Sequence, residues 1–285
     1  MATFAKSSFN TAIYAAARPT YSPKLFEYIY EYYRNQPLGS SAHWDRAVDV
    51  GCGTGQAASH LDGVFNEVVC VDPSTGMLEK AREASATNAT ANTKFTFARG
   101  SAEDIPSTQE GSVDLLIAGM YSYIGHWALA FHWFDWQKVW PETKRVLRPQ
   151  GGVSAFWVYG ESQLSNFPSL TPRITEFWQG TDRSLTTSVG AYFQRPRRTV
   201  LEGLLVDVPA PSAVLPRDVG LAADISLTDA PQIVHPTIMK VDWRWIDVLA
   251  YLRTSSALHS YHEALPEDKR HSDGTRSSRY RGTRK

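Results

Sequence analysis

The feature that most constrains the fold is a glycine-rich stretch near residue 50. Residues 48–56 read Val-Asp-Val-Gly-Cys-Gly-Thr-Gly-Gln, after a short apolar run and before a run, Ala57–Leu61, that can be helical. Glycine accepts positive φ angles and lets the backbone approach a ligand without a Cβ in the way. A strand, a glycine turn and a helix start with unpaired N–H groups together predict a backbone cradle for a small polar ligand.

Short apolar segments alternate with helical patterns over the first 160 residues. The predicted strands are Ala47–Val50, Glu67–Val71, Phe95–Ala98, Val113–Ala118 and Val153–Val158, and the predicted helices between them are Met77–Ala84 and Trp136–Leu147. An earlier helix is predicted to begin at Pro23, with Ser22 as its N-cap. This alternation predicts an α/β fold with a doubly wound, mostly parallel sheet and helical cap elements, in which ligands bind at the carboxyl ends of the strands.

Composition divides the chain into four parts. We expect an N-terminal cap segment and helix at residues 1–40, the ligand-binding core at 41–160, a proline-rich substrate-side extension that completes the domain at 161–265, and a disordered tail at 266–285. Within the extension, the predicted helices are Ile174–Gln179, Thr199–Leu205 and Trp243–Leu252, the last continuing through Leu258 and Tyr261.

Charge and cysteine usage limit the class of protein. Lys+Arg and Asp+Glu both number 29, so the net charge is zero and a nucleic-acid partner is not expected. Two cysteines, Cys52 and Cys70, do not make a disulfide framework, which favours a reducing compartment. No run is long and apolar enough for a signal peptide or a membrane span. We therefore expect a cytoplasmic monomer with no membrane partner, and the absence of a His/Cys cluster predicts no metal.

The glycine turn is compatible with three kinds of cofactor before its neighbours are considered. A phosphate-binding loop would end in Gly-Lys-Ser/Thr and a dinucleotide loop would have a third glycine, but Gln56 occupies that position. Asp49 precedes the turn, and Asp72 follows about 20 residues later, where an acid can bond ribose hydroxyls. S-adenosylmethionine carries an ammonium, a carboxylate, a ribose and an adenine, and the adenine would face the loop Ser101–Glu103.

At this point the chain resembles the class I S-adenosylmethionine-dependent methyltransferases, and within their type-11 set the trans-aconitate methyltransferase-like group. The resemblance runs from residue 9 to about residue 263. Its motifs are Phe9-Asn10, Tyr14, Arg18-Pro19-Thr20-Tyr21, the glycine turn, Asp72-Pro73-Ser74, Met77-Leu78, His132-Trp133-Phe134-Asp135, Tyr192-Phe193-Gln194-Arg195-Pro196-Arg197 and Tyr251-Leu252-Arg253-Thr254-Ser255-Ser256.

The resemblance implies roles for individual residues. The implied cofactor-binding residues are Tyr14, Arg18, Asp49, Gly51, Gly53, Gly55, Asp72, Ser101, Ala102 and Glu103. The methyl acceptor is expected beside Tyr21, Trp133, Phe134 and Tyr192. Two features depart from the group. About ten extra residues, Met120–Ala130, precede the His-Trp-Phe-Asp motif, and the usual last strand has no counterpart, so we expect the sheet to lack it.

These features predict a small-molecule methyltransferase that acts at oxygen. A carboxylate acceptor is already ionised, whereas a hydroxyl needs a base, for which His132 and then His126 are the catalytic candidates. In its aromatic surroundings His132 is equally compatible with a packed, hydrogen-bonded histidine. Two alternatives stay open: a C- or N-methyltransferase of secondary metabolism, and a non-catalytic or defective cofactor-binding homologue.

Overall fold

A five-stranded parallel sheet forms the centre of the protein, with strand order β3-β2-β1-β4-β5. The computed structural model describes residues 20–35, 42–88, 92–106, 108–121, 134–159, 163–182, 184, 188–193, 203–215, 240–253 and 255–266. The strands are β1 Arg46–Val50, β2 Glu67–Asp72, β3 Lys94–Arg99, β4 Leu115–Tyr121 and β5 Val153–Tyr159. The predicted α/β fold and its five strands are confirmed, although β4 begins two residues later than predicted.

Seven α-helices accompany the sheet in the described part of the chain. They are α1 Pro23–Arg34, α2 Thr75–Asn88, α3 Trp136–Val146, α4 Thr171–Gln179, α5 Pro211–Val214, α6 Trp245–Arg253 and α7 Ser256–Ala264. α3 begins where the Asp135 side chain accepts a hydrogen bond from the Gln137 backbone. α1 begins after Ser22 as predicted, but the Ser22 side chain makes no capping bond. Pro23, whose φ already suits a helix, begins α1 without that bond.

Helices cover both faces of the sheet. Trp157 of β5 lies edge-on to Phe26 of α1, with ring centroids 5.8 Å apart. Its neighbour Phe156 points to the other face and lies 5.3 Å from Trp140 of α3. Between the helices, Val48 and Leu116 are buried, and each such side chain stabilises the fold by about 1.5–3 kcal/mol. The sheet is therefore doubly wound around a buried apolar core.

The amino end of the sheet is fastened by one buried acid. The carboxylate of Asp114, at the start of β4, accepts hydrogen bonds from the Asp45 and Arg46 backbones, both at 2.9 Å. Its other oxygen accepts a 2.6 Å bond from Nε of Arg148, just before β5. One side chain therefore joins the segments that lead into three neighbouring strands.

A second buried cluster lies in the region predicted as the substrate-side extension. Its buried members are Trp178, Val189, Phe193, Tyr251 and Ala257, contributed chiefly by α4, α6 and α7. The segment 203–215 instead packs on the main core, where the Trp140 indole donates to the Pro209 carbonyl at 2.9 Å. The assignment of residues 161–265 to one domain with the core stays a prediction.

Two predicted helices differ from the structure. Ala57–Leu61 contains only a 3-10 turn, Ala58–His60, because the glycine turn continues to Gly55, whose φ of 89° lies outside the helical region. The prediction of a helix at Thr199–Leu205 is also wrong over the part that the structure describes. Leu204 and Leu205 have φ angles of 50° and 66°, which exclude a right-handed helix there. The predicted loss of a last strand and the predicted tail fall largely on residues 267–285, outside the described residues.

Candidate active site

The glycine turn follows β1 and is bent by positive φ angles at each of its glycines. These angles are 69° at Gly51, 55° at Gly53 and 89° at Gly55, a conformation that other residues adopt only with strain. The Gly51 N–H bonds the Val71 carbonyl at 2.7 Å, which anchors the turn to β2. A Cβ built on Gly53 would meet no atom within 4 Å. The turn is therefore held on one side and open on the other.

Asp72 links the turn to the end of β2. Its Oδ2 accepts a 3.0 Å bond from the Gly53 backbone, and its Oδ1 accepts a 2.8 Å bond from the Ser74 backbone at the start of α2. Burial raises the pKa of Asp72 to about 6, and the two backbone bonds oppose that rise. The carboxylate therefore fixes the turn and adds negative charge to it.

Asp49 adds a second acid beneath the turn. Only 1% of Asp49 is exposed, and its Oδ2 has no hydrogen-bond partner in the described structure. Burial, aided by the nearby charge of Asp72, raises the pKa of Asp49 to about 7, while a hydrogen bond from the Ala58 backbone opposes the rise. A buried carboxylate oxygen without a donor is costly, and a ligand with N–H, O–H or cationic groups would satisfy it.

The residues at this edge fit S-adenosylmethionine. The orphaned oxygen of Asp49 and the carboxylate of Asp72 have no cationic partner among the described residues, and they suit a ligand with an ammonium group and ribose hydroxyls. Thr54, in the same turn, also has a buried hydroxyl oxygen without a described partner. The open side of Gly53 leaves space for the ligand to approach the protein backbone.

The loop after β3 joins the carboxyl edge of the sheet, where the cofactor candidates lie, to the segment that is predicted to contact the methyl acceptor. Ser101 and Asp104 exchange backbone hydrogen bonds of 3.0 and 3.3 Å, which closes the loop, and Ala102 between them is buried. The Glu103 carboxylate accepts a 2.9 Å bond from the Asp135 backbone. The structure therefore brings Glu103 next to the segment that contains Phe134.

Aromatic side chains cover the ends of β4 and β5. The ring of Tyr21 stands edge-on to Trp157 at 5.4 Å. A Cβ on Gly119 would lie 2.5 Å from Cζ2 of Trp157 and 2.7 Å from the Tyr21 hydroxyl oxygen, so only glycine allows this approach. Phe26 stacks on the imidazole of His60 at 4.2 Å, and the Tyr30 hydroxyl donates to the His60 carbonyl at 2.7 Å. α1 is thereby fixed to the segment that follows the glycine turn.

Apart from the loop Ser101–Glu103, Tyr21 and Phe134, whose positions are given above, the predicted site residues fall into three groups. The structure brings together the cofactor candidates Asp49, Gly51, Gly53, Gly55 and Asp72. Tyr192 lies in the second cluster, with its ring 5.2 Å from Tyr261. Outside the described residues lie Tyr14, Arg18, His126, His132 and Trp133. Sequence reasoning missed Gly119 and Trp157, although an aromatic residue near the carboxyl end of the fifth predicted strand was a usable signal.

Three further observations on the described residues concern metal ligands, membrane-spanning helices and free thiols. They include no group of three or more His, Cys, Asp or Glu side chains arranged to hold a metal ion. None of the described helices is both long and apolar enough to span a bilayer. Cys52 and Cys70 are both buried free thiols, and a hydrogen bond between their side chains, together with burial, raises the pKa of Cys52.

Comparisons with known proteins agree with this site. The family described as "Methyltransferase domain" (Methyltransf_11) matches residues 48–155, which run from β1 into β5. CRG1 of Saccharomyces cerevisiae, described as a probable S-adenosylmethionine-dependent methyltransferase, is 29% identical over 58% of this chain and 50% of its own length. The methyltransferase pgmE of Aspergillus terreus is 34% identical over 53% of this chain and 42% of its own. The chain thus spans about half the length of these curated relatives.

A solved structure extends the likeness beyond the sheet. A protein from Anaeromyxobacter dehalogenans, assigned to the type II methyltransferases, superposes with a TM-score of 0.58 and 25% identity. The superposition covers 87% of this chain and 83% of that one. The likeness to the trans-aconitate methyltransferase-like group stays a prediction. Residues 48–155 therefore match a methyltransferase domain, and the parallel sheet and the two acids at the glycine turn support a fold like that of the class I S-adenosylmethionine-dependent methyltransferases.

Proposed function

We propose that this protein transfers a methyl group from S-adenosylmethionine to an oxygen of a small-molecule acceptor, either a carboxylate or a hydroxyl. The observation that carries the proposal is the buried Oδ2 of Asp49, which has no hydrogen-bond partner among the described residues and lies beside the glycine turn that Asp72 holds. An acidic, donor-poor edge of this kind suits a cationic ligand that carries hydroxyl groups. The bound cofactor supplies an electrophilic methyl group, and the residues of the chain supply its position.

The cofactor roles divide among the strand ends. Asp49 would accept from the cationic end of the ligand, Asp72 from ribose hydroxyls, and the backbones of Gly51, Gly53 and Gly55 would allow close approach. The adenine would lie against the loop whose residues are Ser101, Ala102 and Glu103. We also assign Tyr14 and Arg18 to the cover of this site, on the strength of the family resemblance.

A small acceptor is favoured by the surroundings of the site. The formal net charge of the chain is zero, which does not suit a polyanionic nucleic acid. Near the ends of β4 and β5, Trp157 of β5 is in contact with Tyr21 from the segment before α1, and this aromatic surface suits a compact, partly apolar molecule. Trp133, Phe134 and Tyr192 are the further acceptor candidates from the sequence.

The need for a base depends on the acceptor. For a carboxylate, holding the ionised oxygen in line with the methyl group is enough, and such positioning can supply about 7–11 kcal/mol. For a hydroxyl, a base contributes about 10²–10⁴-fold, and His132, then His126, are the candidates. A His132→Ala variant would therefore lose activity on phenols while retaining activity on carboxylic acids.

Binding and turnover measurements test the proposal. Calorimetry should detect binding of S-adenosylmethionine and of S-adenosylhomocysteine. Incubation with labelled donor and a panel of carboxylic acids and phenols should yield a methylated product, and NMR would identify the atom that carries the new methyl group. No binding of either cofactor form by folded protein would overturn the proposal. Methylated carbon or nitrogen would point to the secondary-metabolite alternative, and binding without turnover to a non-catalytic homologue. Light scattering and cell fractionation test the proposed monomer and cytoplasmic location.

A further inference from the structure

The register of the sheet places Trp157 on the same face as Asp49. Asp49 pairs with Ile117 of β4, and Gly119, two residues further along β4, pairs with Trp157 of β5. Side chains alternate along a strand, and paired residues of neighbouring strands point to the same face. Asp49, Ile117, Gly119 and Trp157 therefore share one face near the carboxyl edge. β5 lies two strand spacings, or about 10 Å, from β1.

The indole N–H of Trp157 is a buried hydrogen-bond donor that no described residue bonds. Its Nε1 is fully buried, and the described residues give it no partner. The indole of Trp140, on the opposite face, shows the usual arrangement because it donates to the Pro209 carbonyl at 2.9 Å. Buried polar groups without partners are uncommon and destabilising, so one retained at a ligand-binding edge points to a ligand.

The surroundings of Trp157 hold its ring in place. Tyr21 and Phe26 meet the ring edge-on at 5.4 and 5.8 Å. On its remaining side the ring lies against Gly119, where Cε2, the atom bonded to Nε1, would be 2.8 Å from a built Cβ. Three contacts thus fix the direction of the N–H group, which gives it the rigidity that a specificity element needs.

We propose that Trp157 determines acceptor specificity by donating a hydrogen bond from Nε1 to an oxygen of the methyl acceptor. This inference rests on the proposed function and narrows it to an acceptor with a flat or apolar body and a carboxylate or carbonyl oxygen. An indole N–H only donates, so its partner must be an acceptor atom. The ammonium group and ribose hydroxyls of the cofactor match Asp49 and Asp72, its carboxylate suits the backbone N–H groups after the glycine turn, and its adenine is assigned to the loop Ser101–Glu103, so the Trp157 donor is left for the methyl acceptor.

Indole NMR tests the inference without turnover. The protein, labelled with ¹⁵N at tryptophan and saturated with S-adenosylhomocysteine, is titrated with benzoate, succinate and phenol, and the Trp157 signal is identified by its loss in Trp157→Phe. The Trp157 N–H signal should move downfield with at least one of the two carboxylates, while the Trp140 signal stays in place. An unmoved Trp157 signal with every probe overturns the inference.

A substitution supplies the second arm of the test. Trp157→Phe keeps an aromatic ring but removes the donor, so affinity for that probe should fall about tenfold, with S-adenosylhomocysteine affinity within about twofold of the parent. Trp140→Phe, with its indole already bonded to the chain, should leave both affinities unchanged. Unchanged probe affinity in Trp157→Phe overturns the inference. If that variant does not fold, assignment of the parent signal through its sequential neighbours leaves the first arm decisive.

The two proposals fail in different ways. If the folded parent protein did not bind S-adenosylhomocysteine, the proposed function would be contradicted. Normal S-adenosylhomocysteine binding together with a Trp157 signal that ignores every probe would leave the cofactor assignment intact and remove only the role given to Trp157.

Discussion

The backbone N–H of Gly53 donates a 3.0 Å hydrogen bond to Oδ2 of Asp72. This bond joins the turn after β1 to the end of β2, so a single carboxylate sets the position of the glycine turn, and we propose that it also provides charge for the ligand. Loss of a hydrogen bond to a charged group costs about 1.5–3 kcal/mol. Asp72→Ala should therefore weaken S-adenosylmethionine binding by about 10–150-fold in calorimetry.

A matched control tests whether cofactor affinity depends on the charge at the glycine turn or on the loss of any acidic side chain. Glu83 is an exposed acid on α2 that pairs with Lys80, and Glu83→Ala should leave the cofactor affinity within about twofold. Equal losses in the two variants would mean that the turn does not depend on Asp72.

The buried acid at the amino end of the sheet should affect stability and not binding. Asp114 is fully buried and bonded to two backbone N–H groups and to Arg148. Removing one partner of a buried ion pair costs about 3–5 kcal/mol. Asp114→Ala should lower the free energy of unfolding in urea by about that amount, and the milder Asp114→Asn by less. A weaker cofactor affinity in folded Asp114→Asn would contradict the separation of the two edges.

Cofactor affinity should rise with pH and then level off. The pKa of Asp49 is raised to about 7 and that of Asp72 to about 6, so both carry a proton in the free protein at low pH. A cationic ligand favours the ionised forms, and binding must then release protons, up to about tenfold in affinity per pH unit for each proton released. Calorimetry in buffers of different ionisation enthalpy counts those protons. Asp72→Asn should remove one, and an affinity independent of pH between 5 and 7 would contradict the assignment.

The stability of the free protein should show the opposite trend for these groups. The unfolded chain titrates its aspartates at the ordinary value near 3.8, so the folded state binds more protons between that pH and the raised pKa values. The contribution of each group to the free energy of unfolding is therefore largest at low pH and falls as the pH rises through about 6 for Asp72 and about 7 for Asp49. Asp49→Asn should flatten this decline in urea titrations, provided that the variant folds.

The two thiols should be inert in the native protein. Cys52 and Cys70 are both buried, and the pKa of Cys52 is raised by the neighbouring thiol and by burial, so little thiolate forms. Iodoacetamide should alkylate both at least about a hundredfold more slowly in buffer than in denaturant, as mass spectrometry of the digest can measure. Rapid native labelling of Cys52 would mean that the glycine turn opens often.

The sequence was sufficient for features that depend on neighbouring residues along the chain. The glycine turn, Asp49 before it and Asp72 at the end of β2 are recognisable because their chemistry depends on short, fixed spacing. The strand bounds were close for the same reason, since short apolar runs between turns are a local signal. The helical expectation for Ala57–Leu61 was wrong because Gly55 prolongs the turn, a conformational choice that a helix-compatible composition does not reveal.

Features that depend on pairing across the sheet could not be predicted from the sequence. Nothing within β5 alone indicates that Trp157 lies opposite Gly119, or that its N–H group is buried with no partner among the described residues. Likewise, Glu103 meets the Asp135 backbone only because the loop after β3 and the start of α3 converge at one edge. Such contacts join residues far apart in sequence, and only the folded arrangement reveals them.

Acidic side chains at the two ends of the sheet differ in whether they have a cationic partner. At the amino end Arg148 neutralises Asp114 and Arg46 neutralises Glu67, whereas Asp49 and Asp72 at the carboxyl end have no arginine or lysine partner in the described structure. A ligand that supplies the missing positive charge adds about 2.7 kcal/mol of stability when its concentration is a hundred times its Kd. If the proposed methyl donor is that ligand, the folded state would resist unfolding better where the donor is abundant than where it is scarce.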